Sequence, residues 1–450
     1  MTERSQRLRA MARFRIALFN MPPAKLLLTG YVSYMLVGWM LLSLPVAQVE
    51  AVRAIDTLFI ATSAVSTTGL VSVDPGGSFT FFGEVVILLL IQAGGLGYMT
   101  IGSFATLAIM GKLPGMRARA TKHAFNLPDS IRPRQFIVSV VAFTLVVEVA
   151  GALALWALFA ADGTPDALWM GIFHSVSAFC TAGFSLFPAS FEGYEGHFAL
   201  KLVLSVLSIL GAMGFLIVVD GWRTLTGQAR FLGFSSKVIV RMTLLFLAVG
   251  TLILFVVEPS LRGLSPEDRL MDAFFQTMTA TTTVGFNTVP IGGIGGASLM
   301  VLFFLMVIGA SPAGTGGGLK TTSFAALVGL VRSTLKGRDR VRYLKREVPP
   351  DRLQLATASL AYYFALAGAA MFLLLLTEAG AAFEVVMFEV ISAMGTVGLS
   401  MGLTGGLSDL GKLVVVVLMT AGRVGILTFG IAVASHDESR AEEADNDLVL

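Results

Sequence analysis

Charge is what this sequence has least of. Only 14% of its 450 residues are Asp, Glu, Lys or Arg, and 55% are hydrophobic, whereas a soluble protein carries about a quarter charged residues. That balance, with a mean hydropathy of +0.80, excludes an ordinary soluble domain. Cysteine is reduced to Cys180, which rules out an internal disulfide and a Cys-rich metal site. The four histidines, His123, His174, His197 and His436, are too scattered for ligand spacing. A membrane enzyme would need a cluster of catalytic acids, histidines or cysteines, and none is present, so the chain is not read as an enzyme. No G-x-G-x-x-G stands in a strand–helix setting, so the chain itself is expected to bind no nucleotide. No nucleic-acid partner is expected either.

What is there is length without charge. Charge-free stretches at 26–49, 85–111, 202–219, 273–319 and 353–377 are on the scale of the ~20 residues that a bilayer-spanning helix needs. The sequence reads as an all-α polytopic membrane protein, with lipid as its first partner. The basic start, "MTERSQRLRAMARFRIALFN", lacks a short apolar core with a small-residue cleavage site. It is read as a retained juxtamembrane segment rather than a signal peptide.

A short signature then recurs. "SAVSTTGL" (63–70), "SAFCTAGF" (177–184), "TATTTVGF" (279–286) and "SAMGTVGL" (392–399) share Ser/Thr-Ala-x-x-Thr-x-Gly-Leu/Phe. Their glycines, Gly69, Gly183, Gly285 and Gly398, are 114, 102 and 113 residues apart. Each octapeptide ends a short apolar run flanked by two long ones, which divides the chain into internal repeats at 25–110, 135–222, 238–334 and 353–434. The short runs, of about 14–17 residues, favour a re-entrant or buried helix. The expected fold is four helix–pore-helix–helix repeats: eight spanning helices and four re-entrant pore helices, with pseudo-fourfold symmetry around one pore.

Charge placement orients the chain. Lys and Arg number 6 in 4–25, 6 in 112–134, 4 in 223–241 and 8 in 332–352, against only Arg53, Lys201, Arg262, Arg269 and Lys412 on the other side. Positive residues mark the cytoplasmic side. Both termini, the basic 1–24 and the acidic 435–450, are then cytoplasmic in a cell-membrane protein, and all four octapeptides lie toward the outside.

A short helix dipping in from outside would aim its partially negative C-terminal end at the bilayer middle, where it favours a cation. The chain must return in extended form, tolerable only if it is buried in protein or lines water. Glycine allows the turn. Four such strands would present rings of oxygen from Thr67, Thr68, Gly69, Thr181, Ala182, Gly183, Thr283, Val284, Gly285, Thr396, Val397 and Gly398, able to replace a hydration shell. None of the octapeptides carries a carboxylate, which suits a monovalent rather than a divalent ion and points to K⁺. A single small-residue motif would be better read as a helix-packing seam. Four copies on one side argue for the ring.

These motifs resemble the Trk/Ktr/HKT superfamily of potassium transporters, and within it the KtrB-type membrane subunits, over about residues 25–434. TrkH subunits carry two extra N-terminal helices, and only about 25 residues precede the first apolar run here. In some HKT members serine replaces the first-repeat glycine and accompanies Na⁺ selectivity; Gly69 at that position implies K⁺. The resemblance further implies a homodimer with one pore per protomer, Na⁺ stimulation, and gating by a cytoplasmic KtrA-like ring of nucleotide-binding RCK subunits.

The last run of the third repeat is interrupted by "GASPAGTGGGLKTTS" at 309–323, with five glycines in 309–318 and Pro312, unable to sustain a helix interior. It reads either as a passive kink or as an intramembrane loop that obstructs the pore, the reading the resemblance favours. Gly314, Gly316, Gly317, Gly318, Lys320 and Arg423 are the gate candidates. "GTGGGLK" is rejected as a phosphate-binding loop, because Leu319 separates Gly318 from Lys320 and a helix precedes it. Arg423 has ten uncharged residues before it and twelve after. Such a charge faces a cavity or a partner, and the resemblance makes it an electrostatic barrier beside the loop; snorkelling or a structural ion pair is the alternative. Lys320 would pair with an acid or a carbonyl. Glu148 is expected to make an inter-helix polar contact, and Asp56 and Asp166 to cap short helices. Asp272, Glu384 and Glu389 fall in or near them. The basic loop 332–352 and the acidic tail are candidate docking surfaces. The rival function is a secondary cation transporter with a midplane site in broken helices.

Overall fold

The computed structural model describes residues 23–97, 100, 133–227 and 230–434. Nearly all of the basic N-terminus 1–24, most of the stretch 112–134 and the acidic tail 435–450 lie outside the described residues. In the first repeat α1 (Pro23–Leu42) is followed by the short α2 (Ala54–Val65) and by α3 (Phe81–Leu96). The second has α4 (Pro133–Ala161), the short α5 (Ala167–Phe179), and a pair, α6 (Phe198–Met213) and α7 (Phe215–Leu225), bent by 89°. The third has α8 (Phe234–Val257), α9 (Pro266–Thr282), α10 (Gly296–Val307) and α11 (Thr321–Thr334). The fourth has α12 (Pro350–Thr377), the short α13 (Phe383–Gly395), and α14 (Asp409–Val424) with α15 (Ile426–Val433), bent by 109°.

Only the opening helix of each repeat is an unbroken span by length and composition, giving four among the described residues, or six if each bent pair counts as one. The eight long spans expected from hydropathy are therefore not all continuous. In two repeats the closing helix breaks at a single glycine, Gly214 (φ 90°) and Gly425 (φ 96°), and α3 is capped at its end by Gly97 (φ 76°). A left-handed φ of this kind is cheap only for glycine. In the third repeat the break is the whole segment between α10 and α11. The opening helices turn large apolar side chains outward, Val146, Val149 and Leu153 on α4 and Phe364, Phe372 and Leu376 on α12 among them, as lipid-facing helices do.

The short helices sit innermost. In α9 the buried residues include Asp272, Gln276, Thr277, Thr279, Thr281 and Thr282, a face too polar to turn to lipid. Pro266 at its first position and the Ser265 hydroxyl accepting the Asp268 N–H at 3.2 Å start it. Opening and closing helices are tied where the one ends and the other begins. Glu258 accepts the Gly295 N–H (3.2 Å), Glu378 accepts the Ser408 N–H and hydroxyl (3.2 and 2.6 Å), and Asp162 lies 3.2 Å from His197.

One element was not foreseen in an all-α reading. Within the basic loop, β1 (Arg342–Tyr343) and β2 (Arg346–Glu347) form a hairpin around Leu344 and Lys345, both at positive φ, as a two-residue primed turn requires. Its Tyr343 hydroxyl donates to Met242 Sδ at 3.2 Å, and burial raises the phenol above its ordinary pKa.

Candidate functional site

Each octapeptide folds into the same turn. The sixth-residue N–H returns to the first-residue carbonyl: Thr68 to Ser63 at 2.9 Å, Ala182 to Ser177 at 2.8 Å, Val284 to Thr279 at 3.1 Å and Val397 to Ser392 at 2.8 Å. The fifth residue, always Thr, is left-handed, with φ of 50°, 51°, 60° and 49° at Thr67, Thr181, Thr283 and Thr396. This is the Schellman way of ending a helix, where glycine is the usual left-handed residue. A β-branched residue there costs about 1–2 kcal/mol, which the turn's own hydrogen bonds must offset. The first-position serine also has a use: Ser63 and Ser392 hydroxyls accept the N–H groups of Gly69 and Gly398, each at 3.1 Å.

The four turns meet. A Cβ built on Gly69 would lie 2.5 Å from the Ala182 carbonyl oxygen. On Gly183 it would strike the carbonyl of Val284, on Gly285 that of Val397, and on Gly398 that of Thr68. Repeat one thus abuts two, two abuts three, three abuts four and four abuts one: a closed ring of backbone. Each glycine is required twice over, for its φ of 89°, 66°, 83° and 91° and for the carbonyl of the next turn. The twelve residues singled out from sequence all fall in this ring, and its Thr and Gly members lie in buried or nearly buried positions.

The glycine-rich segment lies against the ring's threonines. Gly316 has no room for a Cβ beside Thr283 Oγ1, nor Gly317 beside Thr396 Oγ1. Thr315, which sequence reasoning passed over among its glycines, receives a hydrogen bond from Thr181 Oγ1 (3.0 Å) and donates to the Phe179 carbonyl (3.2 Å). The segment is threaded through the α6–α7 break: the N–H groups of Ser311 and Thr315 reach the carbonyls of Ala212 and Gly211, each at 3.2 Å, and Phe215 N–H reaches Ala313 O at 3.0 Å. Gly314 packs on Ala212 O, and Gly318, at φ 70°, on Gly309.

Two cations hold this segment by its carbonyls. Lys320 Nζ donates to Gly316 O (2.7 Å) and Gly317 O (3.3 Å). Arg423 donates to Thr315 O, to Thr67 Oγ1 (2.9 Å), to Gly94 O and to Gly95 O (3.2 Å). Of the alternatives for these residues, Lys320 takes carbonyls rather than an acid, and Arg423 makes no ion pair among the described residues. The hydroxyls of Thr283 and Thr396 are buried without a protein partner, two oxygens free to meet something else.

Behind the ring the support alternates. Lys201 on α6 pairs with Asp272 on α9 at 2.5 Å, and Asp272 also accepts the Thr288 hydroxyl at 3.0 Å. Lys412 on α14 pairs with Asp56 on α2 at 2.6 Å. In the other two repeats a buried acceptor does the holding. Glu389 accepts the hydroxyls of Ser400 (2.9 Å) and Thr404, and His174 Nε2 lies 3.0 Å from the Ser185 hydroxyl. Asp56 does sit in the first turn of α2, yet its carboxylate is taken by Lys412 and by Arg53 (2.9 Å). Asp166 occupies the N-cap of α5, at the positive end of that helix, though its side chain makes no capping hydrogen bond. Lys201 and Lys412, counted by charge as outer residues, are both buried. Glu148 makes the expected inter-helix contact, accepting from Gln92 at 3.2 Å. Glu384 lies in the first turn of α13.

Known proteins bear on this arrangement. A family model described as cation transport protein, TrkH, matches residues 39–443. The Ktr system potassium uptake protein B of Vibrio alginolyticus is 36% identical over 416 residues, covering 91% of each chain. That of Bacillus subtilis is 35% identical over 438 residues, covering 95% of this chain and 96% of the other. The potassium/sodium uptake protein NtpJ of Enterococcus hirae is 33% identical, covering 96% and 98%. The crystal structure of the potassium transporter TrkH from Vibrio parahaemolyticus superposes with a TM-score of 0.69 at 21% identity over 90% of this chain and 84% of that one, a likeness of fold. With most of its length matched by the family model and by relatives above 30% identity, the chain belongs to the TrkH family of cation transport proteins.

Proposed function

We propose that the chain takes up K⁺ across the cell membrane, and that the ring of Thr-x-Gly turns is its selectivity filter. The observation that carries the reading is the closed contact order of the four turns, each glycine against the next turn's carbonyl. A K⁺ ion stripped of water needs a cage of oxygens of moderate field, which backbone carbonyls supply without a counter-charge. The unpartnered hydroxyls of Thr283 and Thr396 would complete the inner end of that cage. Relatives named as potassium uptake proteins support the same substrate.

In this reading the segment 309–323 is the gate. Its carbonyls, held by Lys320 and Arg423, stand against the inner threonines, and the two positive charges oppose an arriving cation until the segment moves aside. Eight crossings, both termini inside, a homodimer, a KtrA-like RCK ring on the cytoplasmic face and Na⁺ stimulation complete the proposal. A secondary transporter is the second reading, favoured by the breaks at Gly214 and Gly425. Broken helices of that kind line midplane sites in coupled carriers.

The test is growth of a K⁺-uptake-deficient bacterium at low K⁺ with the chain and its soluble partner, followed by Gly→Ser variants at Gly69, Gly183, Gly285 and Gly398. Growth on the parent chain and loss of K⁺ preference in the variants are expected. Undiminished preference in all four single variants refutes the filter. Flux that stops when the Na⁺ or proton gradient is collapsed, while the K⁺ gradient remains, decides for the coupled carrier.

A further inference from the structure

The four turns share one backbone but not one support. In the second and fourth repeats the chain leaving the signature glycine is held by the same device. Two residues beyond the glycine stands a serine, Ser185 or Ser400, whose hydroxyl accepts an N–H two residues further on, Phe187 at 3.0 Å and Gly402 at 3.1 Å. That hydroxyl meets a buried side chain three residues before the octapeptide, His174 or Glu389. His174 Nδ1 is 2.8 Å from the Met170 carbonyl, which only an Nδ1–H satisfies, leaving Nε2 to accept from the Ser185 hydroxyl and from the Leu186 N–H at 3.3 Å. Glu389 likewise accepts two donors, the Ser400 and Thr404 hydroxyls. Both acceptors are 0% exposed. The equivalent positions in the other repeats are Ile60, which is apolar, and Gln276, whose amide reaches Thr288 at 3.4 Å. There the lysine–aspartate pairs stand in.

We infer that Glu389 and His174 are positioning residues for ion selection: each is a buried double acceptor that fixes the outgoing strand of its turn, and with it the direction of the carbonyls of the Thr-x-Gly stretch. The inference rests on the filter reading. A binding constellation discriminates only when its supports hold it to within about 0.5 Å. Without this tie the outgoing strand could shift, letting the oxygens follow a smaller ion inward.

The test uses the full chain, purified and reconstituted in liposomes, with the K⁺/Na⁺ permeability ratio read from reversal potentials and KM and Vmax for K⁺ read separately. Glu389→Leu and Ser400→Ala are each expected to lower the ratio by about tenfold, the loss of one such tether, and to raise KM more than they lower Vmax. Glu389→Gln, which still accepts through one oxygen, is expected to keep the ratio within about threefold. Gly398→Ser is the control. If it lowers the ratio while folded Glu389→Leu and Ser400→Ala do not, the positioning role is refuted and the filter reading stands; if it and the Gly69, Gly183 and Gly285 variants all leave the ratio intact, both fall. A Gln variant as unselective as Leu overturns the hydrogen-bond account. Should Glu389→Leu not yield monodisperse protein, Ser400→Ala decides alone.

Discussion

Replacing Arg423 by alanine removes a guanidinium that donates to four acceptors, Thr67 Oγ1 and the carbonyls of Thr315, Gly94 and Gly95. Only the Thr315 carbonyl belongs to the proposed gate segment; the others tie α14 to the first repeat. A hydrogen bond with one charged partner contributes about 1.5–3 kcal/mol, and each 1.4 kcal/mol is tenfold in an equilibrium. If that one bond must break for the segment to move, its loss shifts the open-to-closed ratio by about one to two powers of ten. Loss of the positive charge below the ring acts in the same direction. The assay is ⁸⁶Rb⁺ uptake into liposomes holding the chain without its soluble partner, where the closed state should dominate. Arg423→Ala is expected to raise flux at least tenfold, and Arg423→Lys, which reaches fewer of the four acceptors, to fall between. Melting temperature is read in parallel, because the bonds to Gly94 and Gly95 are lost as well. Unchanged or lower flux from well-folded Arg423→Ala protein refutes the clamp.

Two further variants separate other parts of the site. Lys201→Met leaves the Asp272 carboxylate buried without its cation and should cost about 3–5 kcal/mol of stability, visible as a lower melting temperature; Lys201→Met with Asp272→Asn should recover most of it, and failure to recover would mean the pair does more than neutralise itself. Thr396→Val removes a hydroxyl that has no protein partner, so stability should hold within about 1 kcal/mol while the KM for K⁺ rises; an unchanged KM would show that this oxygen takes no part in holding the ion.

What could be seen in the sequence was what repeats. The octapeptide is local, and its residues carry their conformation with them, so four copies announced four like turns. The glycine-rich segment was visible because five glycines within ten residues leave a helix nothing to stand on. The single breaks at Gly214 and Gly425 were not, since one glycine in an apolar run is ordinary and only its neighbours decide whether φ becomes positive. Charge counting took Lys201 and Lys412 for loop charges on the side opposite the basic loops, whereas both are buried. Their partners, Asp272 and Asp56, are 71 and 356 positions away, and no periodicity links them. The left-handed threonines were hidden for the opposite reason: propensity argues against them, and the octapeptide's own hydrogen bonds overrule it.

Because a single polypeptide supplies all four sides of the ring, its quarters are free to differ. Ala182 stands where the other turns have Thr68, Val284 and Val397. In a pore assembled from four copies of one subunit, every substitution strikes four times and its free-energy effect is multiplied accordingly. Here a mutation alters one quadrant, so in the filter reading ion preference can be adjusted in small increments, and adjacent quadrants can specialise without the whole opening having to change at once.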